Sequence, residues 1–374
     1  MAGAHDVIIV GASAAGLSVA RCLEAAGRSP LVVDAASDVG TMWRNAYQRL
    51  HLHTPRAASG LPFLPMPASY PRYPSRQQVV DYLEAYVATL QRPPQLARRA
   101  THIHREGDGW IVETPQGPLS ARAVVVATGN TRVPLVAHWP DEDSFGGEVI
   151  HSSAYRTGAN YRGKRVLVVG FGNSACEIAI DLVEQGAAPT LSVRGPVNII
   201  PRDLFGIPIV SLGLVSKLFP PRIADAINAP LLRLALGDMT RLGFRRPPYG
   251  PIEQIVVHHQ IPLLDIGTVA LVRSRAIAVR PGIARFTADG VVFDDGREEK
   301  FDAVILATGY RAALGDLLAD VPDVLDVEGT PLVSGAPTAA PGLYFCGFTI
   351  TPGGTLRSIG REARAIARDI AQPG

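Results

Sequence analysis

Cysteine is scarce. Cys22, Cys176 and Cys346 are the only three in 374 residues, and no two form a C-x-x-C pair. Two of them fall in helices that follow glycine-rich turns, where a small buried residue fits, so all three read as reduced core cysteines. Charge is also sparse: 19% of residues are charged and the net charge is +2. The basic residues are scattered, Arg98-Arg99 and Arg245-Arg246 reading as solvated pairs, which argues against a nucleic-acid-binding surface. Long apolar runs are missing as well. The longest notable uncharged run, Leu204–Ser216, spans 13 residues and holds Pro208 and two glycines, too short and too broken to span a bilayer. The N-terminus reaches its first strand by about Asp6 without a basic region followed by an apolar one, so no secretory signal is expected. A cytoplasmic protein follows, with peripheral membrane contact through 204–236 as the alternative.

What the chain does have is apolar residues, 47% of the total, and a pattern that occurs twice. Val166–Val169 is an unbroken aliphatic run suited to a buried parallel strand. Gly170-Phe171-Gly172-Asn173-Ser174-Ala175 follows as G-x-G-x-x-A, then a helix with Ile178, Ala179, Leu182 and Val183 on one stripe and Gly186 as its stop. Gly170 permits the tight turn and Gly172 lets backbone approach a pyrophosphate. Ala175 lets helix and strand pack closely, and the helix N-terminus offers amides and the positive dipole end. The second copy is N-terminal. Val7–Val10 leads into Gly11-Ala12-Ser13-Ala14-Ala15-Gly16, with Leu17, Ala20 and Leu23 facing inward on a helix that stops near Gly27.

Each copy continues into another strand. Leu31–Asp34 ends in an acid 23 positions after Gly11, whereas Leu191–Arg194 ends in a base 24 positions after Gly170. A carboxylate there binds a ribose hydroxyl, and an arginine suits a ribose 2′-phosphate. The first site is therefore expected to take an unphosphorylated adenosine ribose and the second to prefer NADPH. Each half also closes on the same words: Ala127-Thr128-Gly129 and Ala307-Thr308-Gly309-Tyr310. This internal repeat predicts two doubly wound domains, the second inserted into the first, with the reactive rings meeting at the domain interface.

Between these landmarks lie further features. Gly40 and Trp43 read as a loop wrapping a flat ligand. His51 and His53 alternate on an extended segment, but no third ligand is suitably spaced, so no metal is expected there or at His102 and His104. Leu61–Pro74 holds five prolines in fourteen residues and must be irregular. Ser75 with Gln78 is a capping-box pattern for a helix with Val79, Leu83, Tyr86, Val87 and Leu90 inward. A hairpin is expected about Glu106–Gly109, strands over Ala276–Arg285, Gly290–Phe293, Phe301–Leu306 and Gly342–Phe348, and a last helix over Thr355–Ile370. Residues 196–260 read as proline-rich and irregularly apolar.

Phe145-Gly146-Gly147-Glu148-Val149-Ile150-His151-Ser152-Ser153-Ala154-Tyr155 fits F-x-G-x-x-x-H-x-x-x-Y. Placed between the two glycine-rich turns, with Ala307–Tyr310 after them, it resembles the flavin-containing monooxygenases. Leu50–Arg56, Tyr70–Leu83 and Leu263–Thr268 resemble the YUCCA-type branch of auxin biosynthesis. The resemblance spans nearly the whole chain. It implies FAD at the first site and NADPH at the second: hydride passes to flavin, reduced flavin takes molecular oxygen, and a peroxyflavin gives one oxygen atom to a small organic substrate while the other leaves as water. The substrate implied is an arylpyruvate such as indole-3-pyruvate, or a soft sulfur or nitrogen nucleophile. Arg44 and Arg56 stand where a keto acid could find a cation.

The resemblance and the motifs together give an α/β fold of two doubly wound, Rossmann-like domains: 1–155 for FAD, 156–308 for NADPH, and 309–374 returning to the FAD domain. Cofactor contacts are expected at Gly11, Ser13, Ala14, Ala15, Gly16, Asp34, Ala35, Gly40 and Trp43. They are further expected at His51, Thr54, Ile103, Thr128, Gly129, Gly347 and Phe348, and, on the nucleotide side, at Tyr155, Gly170, Gly172, Asn173, Ser174, Arg194, Thr308, Gly309 and Tyr310. His53 stands where many family members carry asparagine, and it is the candidate catalytic residue; His151 and Tyr155 help couple the domains. Tyr155 in place of tryptophan argues against a Baeyer–Villiger monooxygenase, which stays as the alternative together with an N-hydroxylating enzyme. A flavin disulfide reductase lacks its cysteine pair here, and a flavoprotein without turnover is the non-enzyme alternative. A monomer or homodimer is expected.

Overall fold

The computed structural model describes residues 5–209, 219–351 and 353–372. Of the uncharged run 204–216, and of the proposed membrane-contact region 204–236, residues 210–218 lie outside the described residues. The chain forms two compact units, Met1–Asn45 with Thr54–Val133 and Tyr310–Gly374, and Ala46–His53 with Pro134–Gly309. The second is thus nested in the first, and the short segment 46–53 belongs to it. The contact boundary falls at 133/134 rather than at 155/156: Glu148–His151, within the F-x-G-x-x-x-H-x-x-x-Y stretch, pairs with Ala303–Leu306 as an edge strand of the second unit.

In the first unit, Pro30–Val33, His5–Val10 and Leu119–Val126 lie side by side and parallel, and Leu343–Phe345 joins Leu119–Val126 from the other side, also parallel. The hairpin His102–Glu106/Gly109–Glu113 extends this sheet antiparallel. Parallel strands covered on both faces must be apolar throughout, and Val7–Val10, Pro30–Val33 and Ala123–Val126 are all buried. The helix Ala14–Ala25 follows the first strand, and Thr355–Ala371 packs against it. Arg76–Val87 starts with the expected capping box, Ser75 accepting from Gln78 N–H while the Gln78 side chain accepts from Ser75 N–H. Val79, Leu83 and Tyr86 face inward, joined by Val80 and Tyr82, while Val87 and Leu90 stay half-exposed.

In the second unit the parallel order is Ala278–Arg280, Ala188–Ser192, Arg165–Val169, Ala303–Leu306, Glu148–His151. Asn173–Glu184 is its first crossover helix. An antiparallel trio, Ile283–Thr287, Gly290–Phe293 and Glu298–Lys300, builds a separate small core around Phe286 and Phe293. The region 196–260 holds more order than its composition suggests: Pro221–Leu236 is a sixteen-residue helix. Its pattern misleads because Ile223, Ile227 and Leu234 are on the exposed side and Pro230 sits inside it.

Candidate functional site

The two glycine turns are built alike, atom for atom in their tightest parts. Gly11 (φ +117°) and Gly170 (φ +122°) lie in the left-handed region, where a side chain is strained. A Cβ on either would come within 2.6 Å of a carbonyl oxygen, that of Ala127 or of Ala307. The amide of Gly11 donates to Val33 O and that of Gly170 to Ser192 O; the Ala127 and Ala307 amides donate to Val10 O and Val169 O. Each Ala-Thr-Gly strand end is therefore the floor against which its turn is pressed. The third position differs. A Cβ at Gly16 would stand 1.8 Å from Gly11 O, while the second turn has room for Ala175, which is fully buried.

The first turn fits a dinucleotide. The first-turn amides of Ala14–Ala25, those of Ala14 and Ala15 among them, have no intrahelical acceptor, and the N-cap Ser13 makes no side-chain cap bond to them. Asp34 accepts from Ala12 N–H (2.5 Å) and Ala36 N–H (2.8 Å), which orients its carboxylate at the strand end; Ala35 beside it is exposed. Gly40 N–H donates to Ala12 O, and Gly347 packs against Ala15, a Cβ there falling 2.9 Å from the alanine methyl. Thr128 carries a buried hydroxyl with no hydrogen-bond partner, beside Gly129, where an added Cβ would meet nothing within 4 Å. An orphaned hydroxyl and open backbone at the mouth of the turn suit a bound nucleotide.

Several expected contacts are spent on the protein itself. Ile103 is fully buried in the sheet core and its amide bonds Leu317 O. Trp43 is buried rather than wrapped around a ligand, its carbonyl accepting from Arg76. Phe348 packs edge-on against Phe345 in the core. Thr54 Oγ1 is bonded to Ser59 Oγ. The candidate carboxylate-binding cations are also engaged: Arg44 with Glu84 and Val39 O, Arg56 with Tyr70 O.

In the second unit, Gly172 caps Asn173–Glu184 in an extended conformation, with no side-chain cap, and nothing lies within 4 Å of an added Cβ. That open cradle, with the dipole end behind it, fits a pyrophosphate. Asn173 Oδ1 accepts from Leu264 N–H. Thr308 donates to Leu135 O, unlike its unpartnered counterpart Thr128. Gly309 (φ +93°) is open, with its carbonyl 3.1 Å from His151 Nε2; Tyr310 begins a short strand. Ser153 N–H donates to His151 Nδ1, so the imidazole is the neutral Nε2–H form, and burial pushes its pKa below the ordinary value while the Gly309 carbonyl opposes this. Tyr155 is enclosed rather than presented to a ligand. Its hydroxyl donates to Asp181 at 2.6 Å, and burial, then that carboxylate, drive its pKa well up.

Two groupings were not legible in the sequence. The first is polar and centred on Glu177, which is 1% exposed. Its Oε1 is 2.5 Å from His53 Nε2, and its Oε2 lies 3.9 Å from Arg49 and makes no hydrogen bond; burial, then the nearby Glu177 carboxylate, push the Tyr47 hydroxyl pKa well up. The one signal was an acid inside an apolar helical stripe. Arg49 also holds Glu184 through two bonds, and His51 Nδ1 lies 2.6 Å from Arg49 O on an exposed surface. The second grouping adds to the solvated-pair reading of Arg245-Arg246: both are exposed, and Arg245 Nη2 also donates to Arg194 O at 2.5 Å. Arg98 is likewise engaged, with Thr114 and Gln95. Among the described residues no three His, Cys, Asp or Glu side chains could hold a metal, all three cysteines are buried and free, and no helix is long and apolar enough to cross a membrane.

The profile of the family described as "Pyridine nucleotide-disulphide oxidoreductase" matches residues 8–202. Indole-3-pyruvate monooxygenase YUCCA1 of Oryza sativa subsp. japonica is 37% identical over 370 residues, covering 97% of this chain and 90% of its own. Probable indole-3-pyruvate monooxygenase YUCCA4 of Arabidopsis thaliana is 37% identical over 371 residues, covering 97% and 89%. Among solved structures, the flavin-containing monooxygenase from Stenotrophomonas maltophilia superposes with a TM-score of 0.75 at 27% identity, covering 98% of this chain and 97% of that one. With two glycine turns, an acid after one and a base after the other, the chain belongs to the YUCCA-type flavin monooxygenases, oxidoreductases that use FAD and NADPH.

Proposed function

We propose that this enzyme oxygenates an arylpyruvate, indole-3-pyruvate being the first to test. The carrying observation is the 37% identity, over 97% of the chain, to a protein named for that reaction. In this reading the first unit holds FAD and the second NADPH. When bound, the two supply the hydride and the oxygen-activating ring, and one oxygen atom reaches the substrate while the other leaves as water.

The protein's part is positioning and the exclusion of water. Gly11, Gly16 and the first amides of Ala14–Ala25 seat the FAD pyrophosphate; Asp34 accepts from its adenosine ribose. Gly172 and the first turn of Asn173–Glu184 seat the NADPH pyrophosphate, and Arg194 takes the 2′-phosphate. His53, with Nε2 on Glu177, holds or accepts a proton at Nδ1. We place the enzyme in the cytoplasm, as a monomer or homodimer, in keeping with three buried, unpaired thiols.

The test is NADPH-dependent oxygen uptake by the flavin-loaded protein across arylpyruvates, sulfides and amines. The reading expects uptake coupled to product only with arylpyruvates. Coupling with a sulfide or an amine, and hydrogen peroxide alone with indole-3-pyruvate, would overturn the substrate class while leaving the cofactors in place.

A further inference from the structure

We infer that Arg245 is a second guanidinium for the adenosine 2′-phosphate, and that the segment Gly243–Arg246 is built to hold it there. The inference rests on the reading that the second unit binds NADPH. The strand Ala188–Ser192 delivers Val193 and Arg194 to its C-terminal end, where the adenosine ribose of a doubly wound domain is bound. On one side run Arg280, Pro281 and Gly282: Val193 N–H donates to Arg280 O, Ser192 Oγ to Pro281 O, and a Cβ on Gly282 would lie 3.4 Å from Arg194 Cγ. On the other side is Arg245.

Three contacts fix Arg245. Its Nη2 donates to the carbonyl of Arg194, and its own carbonyl accepts from Val197 N–H at 2.8 Å. Its neighbour Phe244 is 2% exposed and packs, tilted by 44° with ring centroids 4.6 Å apart, on Phe171, the residue between the two glycines of the turn. The arginine is thereby tied to the strand end and to the glycine turn at once. Both Arg194 and Arg245 are exposed. The Arg245 guanidinium is thus carried to the strand end that bears Arg194, where a dianionic phosphate would attract both side chains, with Asp294 flanking the Gly282 side of the site. A guanidinium spends one donor on the Arg194 carbonyl and retains four for phosphate oxygens.

The probes are 2′,5′-ADP and 5′-AMP, which differ in the 2′-phosphate, measured by calorimetry on the FAD-loaded protein. Wild type is expected to bind 2′,5′-ADP more tightly. Arg245→Ala should weaken 2′,5′-ADP roughly tenfold, the lower end for a charged hydrogen bond because the site is exposed, and leave 5′-AMP within about twofold. Arg245→Lys, which restores the charge without the fork, should recover part of the loss. If Arg245→Ala binds 2′,5′-ADP as wild type does, or loses both probes equally, Arg245 does not read the phosphate and the inference falls while the NADPH site stands. If wild type itself shows no preference for 2′,5′-ADP, the inference and the NADPH reading of the second unit fall together.

Discussion

His53 and Glu177 meet at 2.5 Å, imidazole Nε2 to carboxylate Oε1, across 124 positions of sequence. Both are largely removed from water, with side-chain exposures of 13% and 1%. Such a pair is weak evidence of net stability, but breaking it from one side is costly because a buried charge loses its partner. Glu177 would be left with Arg49 at 3.9 Å. His53→Ala is therefore expected to lower unfolding free energy by about 3 kcal/mol, and the double variant His53→Ala/Glu177→Leu to recover more than half of it. Urea unfolding at fixed FAD concentration reads this. Single and double variants of equal stability would show that the pair carries no structural weight.

The two turns should respond oppositely to one methyl. At Gly172, φ is −83° and an added Cβ meets nothing, so Gly172→Ala should move Tm by no more than about 2 °C. It should nonetheless weaken NADP on the order of tenfold and slow flavin reduction, because the methyl stands where the pyrophosphate must approach backbone. At Gly16 the methyl meets Gly11 O at 1.8 Å, a backbone atom that cannot swing aside. Gly16→Ala should cost FAD retention or soluble protein. Flavin content and stopped-flow reduction distinguish the cases; unchanged NADP affinity in Gly172→Ala would remove the turn from the nucleotide site.

Arg194→Ala should raise the KM for NADPH and leave that for NADH nearly unchanged. Guanidinium–phosphate pairing contributes about 1.5–3 kcal/mol, or roughly ten- to a hundredfold. The exposed position of Arg194 puts the effect at the lower end and makes it shrink with added salt. Equal losses with both nucleotides would mean that Arg194 acts on something other than the phosphate.

His151 makes stability depend on pH. Burial lowers its folded pKa below the ordinary 6.5, so the unfolded chain takes up the proton first as pH falls. The contribution is present above 6.5 and is lost as pH falls toward the lowered folded value. His151→Gln should flatten that slope. Urea midpoints at about pH 7.5, 6.5 and 5.5 test it; parallel slopes for wild type and variant would place the pH sensitivity elsewhere.

Much of the fold was readable because its constraints are local. Strand, glycine turn and helix follow one another within about twenty-five residues in both copies. The capping box at Ser75 needs only its neighbour three positions on. The helix Pro221–Leu236 was not readable, because its apolar residues Ile223, Ile227 and Leu234 point outward and a periodicity argument assumes they point inward. The segment 46–53 follows the first nucleotide motif in sequence yet packs with the second unit, and no local pattern records that.

By itself the sequence determined the repeated nucleotide turns, the acid at Asp34 against the base at Arg194, and hence the cofactor pair. Backbone conformation and charge at those positions are properties of short stretches. Only the tertiary structure decided which side chains are free to act. It enclosed Tyr155 on Asp181, buried Ile103 and Trp43, gave His53 to Glu177 and set Arg245 on the carbonyl of Arg194. Each of these depends on residues distant in sequence, 51 positions apart for the two arginines, brought together by burial of apolar surface that carries no record of the polar pairs it encloses.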